Sequence, residues 1–231
     1  MSQSTFTGSA MYNLFVYKQT EVERNEYSKS ELVTYLLDFN RNESNYTPLQ
    51  NILPSLSKNG EVIISTEGID GVLYTNIANS EYLKEKEFLG KNFIIKDTLS
   101  KLKWVLSDET KKIGPYLCNK ATVLIEDKEK LFFNNISNSV KSNILDEFDI
   151  DTGVLVTAWY TTEIPIPLGP DEFWGLPGLI LEVNDQRRVI LCSKVTLRIN
   201  DKQKIKLPSK GEMVSKAQYD MIVLRKIKEM N

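Results

Sequence analysis

Apolar and polar residues alternate along most of this chain, and helical spacing is confined to two short stretches. Val189, Leu191, Ser193, Val195, Leu197 and Ile199 fall on one face of an extended segment, with Ile190, Cys192, Lys194, Thr196 and Arg198 on the other. That period of two marks a β-strand. Asn184-Asp185 and Asn200-Asp201 bracket the segment as turn signals. Residues 179–183, 189–199 and 203–207 therefore predict a three-strand antiparallel meander, since such short links cannot carry a parallel crossover. The pattern also predicts hairpins joining 93–96 to 101–106 and 121–125 to 130–133, and an opening strand at 11–17. Residues 32–39 fit a strand or a helix.

Helical spacing returns at Val140, Ile144, Leu145 and Phe148, capped by Asn138 or Ser139, and at 215–229, where Tyr219, Ile222, Val223 and Ile227 share a face. Arg225, Lys226 and Lys228 complement the negative end of that second helix. No repeat, linker or composition shift divides residues 1–231. The expectation is one mainly β domain: a curved antiparallel sheet or open half-barrel, with a C-terminal helix and a short inserted helix. Such a sheet encloses either an apolar ligand or a packed interior.

Residues 157–183 depart from this alternation and hold four of the eight prolines and two of the three tryptophans. Pro165, Pro167, Pro170 and Pro177 fix φ, while Gly169, Gly175 and Gly178 permit backbone angles that other residues avoid, so a rigid irregular loop is expected. Its wording, above all Trp174-Gly175-Leu176-Pro177-Gly178-Leu179-Ile180-Leu181-Glu182-Val183, resembles the GLPGLI family of Bacteroidota envelope proteins, which has no agreed activity. An upstream block, Lys103-Trp104-Val105-Leu106 with Asp108 to Gly114 and Tyr116 to Thr122, resembles the family's second characteristic stretch. Pro115 stands where a second glycine is common, and residues 126–153 read as an insertion. The resemblance implies a signature loop built on Trp159, Tyr160, Pro165, Gly169, Pro170, Gly175, Leu176, Pro177 and Gly178. It also implies a periplasmic or secreted protein, in mature form without its signal peptide, working beside an outer-membrane transporter or another envelope protein.

The loop's aromatic residues admit two readings. Tyr160, Phe173 and Trp174, with Trp159 beside them, offer a preorganised recognition surface on a proline-stiffened frame. Alternatively, the rings plug one open end of the sheet and give the loop its own small core.

Candidate chemistry is sparse. The chain has no histidine, which removes Ser-His and Cys-His dyads and every His-containing zinc site, and its two cysteines are too few for a structural zinc site. For a chain resembling exported proteins, Cys118 and Cys192 are expected to form a disulfide, with two unpaired thiols as the alternative. Glu163, Asp171, Glu172 and Glu182 cluster around the loop and leave a carboxylate-dependent hydrolase open, provided two of them face each other across a cleft. The acidic run at 146–153 fails the EF-hand pattern, so no metal site and no cofactor is expected.

Charge is uneven. Residues 186–231 carry twelve Lys or Arg against four Asp or Glu, although the net charge of the whole chain is only −2. The basic end suits an anionic surface, or else Lys202, Lys204 and Lys206 guard an edge strand against further pairing. No nucleic-acid motif accompanies it. Neither a membrane-spanning apolar run nor a signal-peptide pattern in residues 1–20 appears, so the chain reads as a mature exported form or as cytoplasmic. The leading expectation is a noncatalytic envelope protein that binds a protein partner or an apolar ligand; the hydrolase and a purely architectural surface protein are the alternatives.

Overall fold

The computed structural model describes residues 6–16, 33–49, 71–126, 153–199 and 204–230. Its strands are β1 (Phe6–Val16), β2 (Val33–Phe39), β3 (Glu43–Pro48), β4 (Leu73–Asn76), β5 (Glu81–Phe88), β6 (Lys91–Thr98), β7 (Val105–Ile113), β8 (Tyr116–Glu126), β9 (Gly153–Thr161), β10 (Leu179–Asn184), β11 (Arg188–Ile199) and β12 (Glu212–Ser215), followed by helix α1 (Lys216–Met230). All twelve strands join one open sheet in the order β12-β6-β5-β4-β3-β2-β1-β11-β10-β9-β8-β7. The β12–β6 pair is parallel and every other pair antiparallel. The expected mainly β architecture, a curved open sheet with a C-terminal helix, is what forms.

The period of two explains the main core. In β2, Val33, Tyr35, Leu37 and Phe39 are buried while the residues between them are half-buried. They lie opposite Leu14, Tyr12, Ala10 and Gly8 of β1, so both strands turn their apolar sets to one inner face. Tyr46, Leu73, Val123, Val156, Ala158, Val183 and Ile190 extend that core across the sheet. At the β12 end, Tyr219 and Val223 of α1 cover Phe93, Ile95 and Val214, and Tyr82 packs against both this cluster and the main core. The helix starts in a capping box: the Gln218 backbone N–H donates to Ser215 Oγ at 3.2 Å, and the Ser215 N–H donates to Gln218 Oε1 at 2.8 Å.

Three pairings differ from the sequence expectation. β10 and β11 do pair, but residues 204–209 form no strand, and the other neighbour of β11 is β1. β1 pairs along its whole length and brings Ala10, Tyr12 and Leu14 into the core, which the lysine-rich 204–209 segment cannot match. Ile205 instead covers Tyr74, Leu83 and Ile94 on the outer face. Lys204 and Lys206 therefore guard no strand edge. β6 pairs with β5 through a two-residue turn rather than with 101–106, and β7 takes β8 as its partner. β8 continues the sheet into β9, while 130–133 and the proposed helix around 140–148 lie outside the described residues. Residues 33–39 resolve as a strand.

Candidate functional site

The loop between β9 and β10 leaves the sheet at Thr161 and returns at Leu179. The Ile166 N–H donates to the Ile164 carbonyl and the Leu168 N–H to the Ile166 carbonyl, each at 2.8 Å. Both bonds span a single proline, Pro165 and then Pro167, whose fixed φ suits the centre of an inverse γ-turn. This zigzag aims Ile164, Ile166 and Leu168 into the core, where Phe173 and Leu176 join them. The Leu179 N–H donates to Ile164 O at 2.9 Å, the Ile180 N–H to Leu168 O at 3.0 Å and the Gly175 N–H to Pro167 O at 3.0 Å, which closes the loop on itself.

Its glycines act in two ways, not the one expected. Only Gly175 uses the left-handed region, at φ +93°, with open space where a Cβ would sit. Gly169 and Gly178 are needed for close approach: a Cβ on Gly178 would lie 2.0 Å from Thr161 O, and one on Gly169 2.7 Å from Ile180 Cβ.

The aromatic residues disperse. Tyr160 and Phe173 are buried and Trp174 is half-buried, its carbonyl accepting a 2.8 Å hydrogen bond from Trp104 Nε1. The Trp104 ring packs near Phe173 at 6.5 Å. Trp159 faces the other side of the sheet, with Lys111 Nζ 4.4 Å above its ring and bound to both Glu182 oxygens at 2.7 and 2.8 Å. Of the proposed recognition trio, Tyr160 and Phe173 thus belong to the core, while Trp174 stays half-buried outside it.

Nor do the four acids form a pair. Glu163 accepts from the Leu117 N–H at 2.9 Å, Glu172 meets Lys84 at 3.3 Å, and Glu182 is held by Lys111. Asp171 binds Arg188 at 2.9 Å, and Asp185 takes the same guanidinium at 2.8 Å. Burial opposes the Arg188 charge, but the two aspartates outweigh it and hold the group protonated above its ordinary range. Asp171 adopts φ +53°, so the loop turns sharply where this bridge fastens it to β11.

Beneath the loop lies a tyrosine cluster that the sequence reading did not single out. Tyr35 and Tyr46 stack at 4.5 Å with their rings nearly parallel, and Tyr12 meets Tyr46 edge-on at 6.2 Å. The Tyr12 hydroxyl donates to the Ile180 carbonyl at 2.7 Å. Burial pushes Tyr12 and Tyr46 well above the usual phenol range. A signal for Arg188 existed, since Asp185 precedes it by three residues across a tight turn.

The expected Cys118–Cys192 bond is not formed, and both thiols are free and buried. β9 and β10 lie between their strands in the sheet order, and three strand spacings exceed the roughly 7 Å Cα separation that a disulfide tolerates. Each thiol instead points to a nearby carbonyl, Cys118 to Tyr116 O and Cys192 to Lys194 O. Burial pushes Cys118 up to about 11 and Cys192 up to about 12, so both stay protonated at neutral pH.

The comparisons with known proteins fall on this same region. Residues 104–182 match a family described as a protein of unknown function, Porph_ging. The matched span begins at Trp104, contains the loop and ends at Glu182, so it holds the Trp104 brace and the Lys111–Glu182 pair together. No curated protein matches the chain. Among solved structures, PNGF-II in its C2 crystal form aligns at TM-score 0.51 and 15% identity over 96% of this chain, and the P21 form at TM-score 0.52 and 16% identity over 94%. At these identities the likeness concerns the fold alone. This chain spans about a third of the PNGF-II chain. Among the described residues no helix is long and apolar enough to cross a membrane.

Proposed function

We propose that this chain is a noncatalytic, GLPGLI-type protein of the bacterial envelope that binds a protein partner through the outer face of β7–β9. The observation carrying the reading is an exposed apolar row. Leu124 and Leu155 lie directly opposite each other on that face and are 68% and 47% exposed. Val105, 66% exposed, pairs with Thr122 on the same face. Contiguous apolar exposure of this kind is characteristic of interaction surfaces.

The loop supports the reading by exclusion. Its carboxylates are engaged by separate partners, which disfavours a paired-acid hydrolase, and Tyr160 and Phe173 are buried, which disfavours recognition by the three rings together. The inner face is filled by apolar side chains from strands, loop and helix, so a protein partner fits better than an enclosed apolar ligand. In PNGF-II the similar fold makes up only a third of the chain, which suits a module that serves a larger assembly. The envelope setting and a transporter-type partner rest on the GLPGLI resemblance.

Crosslinking in host cells followed by mass spectrometry tests this. Leu124→Lys with Leu155→Lys is expected to remove the crosslinked partner seen with the native chain, while Trp174→Ala retains it. Loss only with Trp174→Ala, or no partner with any form, overturns the proposal.

A further inference from the structure

Leu89 and Gly90 connect β5 to β6 with φ values of +49° and +75°. Positive φ at both central residues is the type I′ signature, a turn that favours Asn-Gly because a larger side chain strains the first position. Here that position holds a leucine, and the side chain is 59% exposed. Backbone strain and apolar exposure therefore coincide at one residue, and asparagine would relieve both. Among the described residues Leu89 joins none of the hydrophobic clusters, which directs attention to a surface outside the molecule.

The surroundings define that surface. Phe88, next in the chain, meets Tyr219 of α1 edge-on at 6.5 Å, so the turn lies beside the helix. Ile227 packs into the same cluster, between Lys226 and Lys228. Arg225 and Lys228 are exposed, Arg225 acting with Lys226 on the Glu229 carboxylate, and Met221 projects into solvent on the same helix. The acids of residues 204–230 are occupied: Glu212 by Lys91, Asp220 by Lys216 and Glu229 by Lys226.

We propose that the β5–β6 turn and the exposed face of α1 rest on an anionic phospholipid surface, with Leu89 entering the apolar boundary and Arg225 and Lys228 facing the headgroups. Basic charge on the helix and a projecting leucine on the turn that packs against its first residues suit a bilayer interface, which supplies a negative potential and a shallow apolar layer at once. Contact of this size is reversible and orients the protein; it does not anchor it.

Cosedimentation of the full chain with phosphatidylcholine vesicles, and with vesicles also containing phosphatidylglycerol, tests the proposal. Binding is expected only with the anionic vesicles and should fall as salt rises. Leu89→Asn should weaken it roughly tenfold, as loss of a buried leucine does, while melting at or above the native temperature. Arg225→Glu with Lys228→Glu should abolish the preference for anionic lipid. Equal sedimentation with both vesicle types, unchanged binding by Leu89→Asn, or a lower melting temperature for that variant overturns it.

Discussion

Gly178→Ala is expected to destabilise the protein by at least about 3 kcal/mol, beyond the ordinary range for overpacking, because the new methyl meets backbone that cannot rotate away. The Cβ would sit 2.0 Å from Thr161 O and 2.6 Å from Thr161 C. Relief requires separating β10 from the end of β9, where Leu179 pairs with Thr161. That movement would draw the fully buried Leu179 and Ile180 out of the core. Gly175→Ala is the informative control. Its Cβ meets nothing within 4 Å, and only φ +93° opposes it, a cost of about 1–3 kcal/mol. Urea denaturation of both variants checks the order; equal midpoints would show that close approach at Gly178 does not govern the loop.

Arg188→Met is expected to cost about 3–5 kcal/mol, the usual penalty for removing one partner from a buried charge group. Asp171 and Asp185 would be left facing each other with side chains only 20% and 13% exposed. Because Asp171 belongs to the loop and Arg188 to β11, the damage should appear first as loosening of the loop. Arg188→Met combined with Asp171→Asn and Asp185→Asn should recover much of the loss, since it removes the stranded charges as well as the cation. Thermal melts of the single and triple variants measure both effects. A triple variant no more stable than the single one would mean that packing of the arginine stem, rather than charge, dominates.

The fold was legible where alternation was strong and uninterrupted. Residues 189–199 show it cleanly, and the C-terminal helix carries both an apolar face and a capping box, whereas Leu36-Leu37 interrupts the alternation of 32–39 and left strand and helix both open there. Pairing was less legible, because alternation identifies a strand without naming its neighbour. β1 joins β11 across most of the chain, a contact that no local turn announces. The β5–β6 hairpin escaped notice because its turn residue is Leu89, which carries no turn signal, and β4 is buried throughout and so shows no alternation.

The loop was legible as a rigid element through its prolines, but the role of each residue was not. Ile164, Ile166 and Leu168 look like ordinary residues between prolines until successive γ-turns put all three on one side. The groups that engage the acids come from other parts of the sequence: the cations Lys84, Lys111 and Arg188 and the backbone N–H of Leu117. Only the folded sheet brings them near.

The central claim is that residues 162–178 form an integral plug of the sheet core and not an open recognition loop. Amide hydrogen exchange of the intact protein tests it most directly. The amides of Ile166, Leu168, Gly175, Leu179 and Ile180, each bonded to a backbone carbonyl, should exchange as slowly as those of β1 and β11 and become labile only with global unfolding. Rapid exchange across 162–178 while β1 and β11 remain protected would contradict the account.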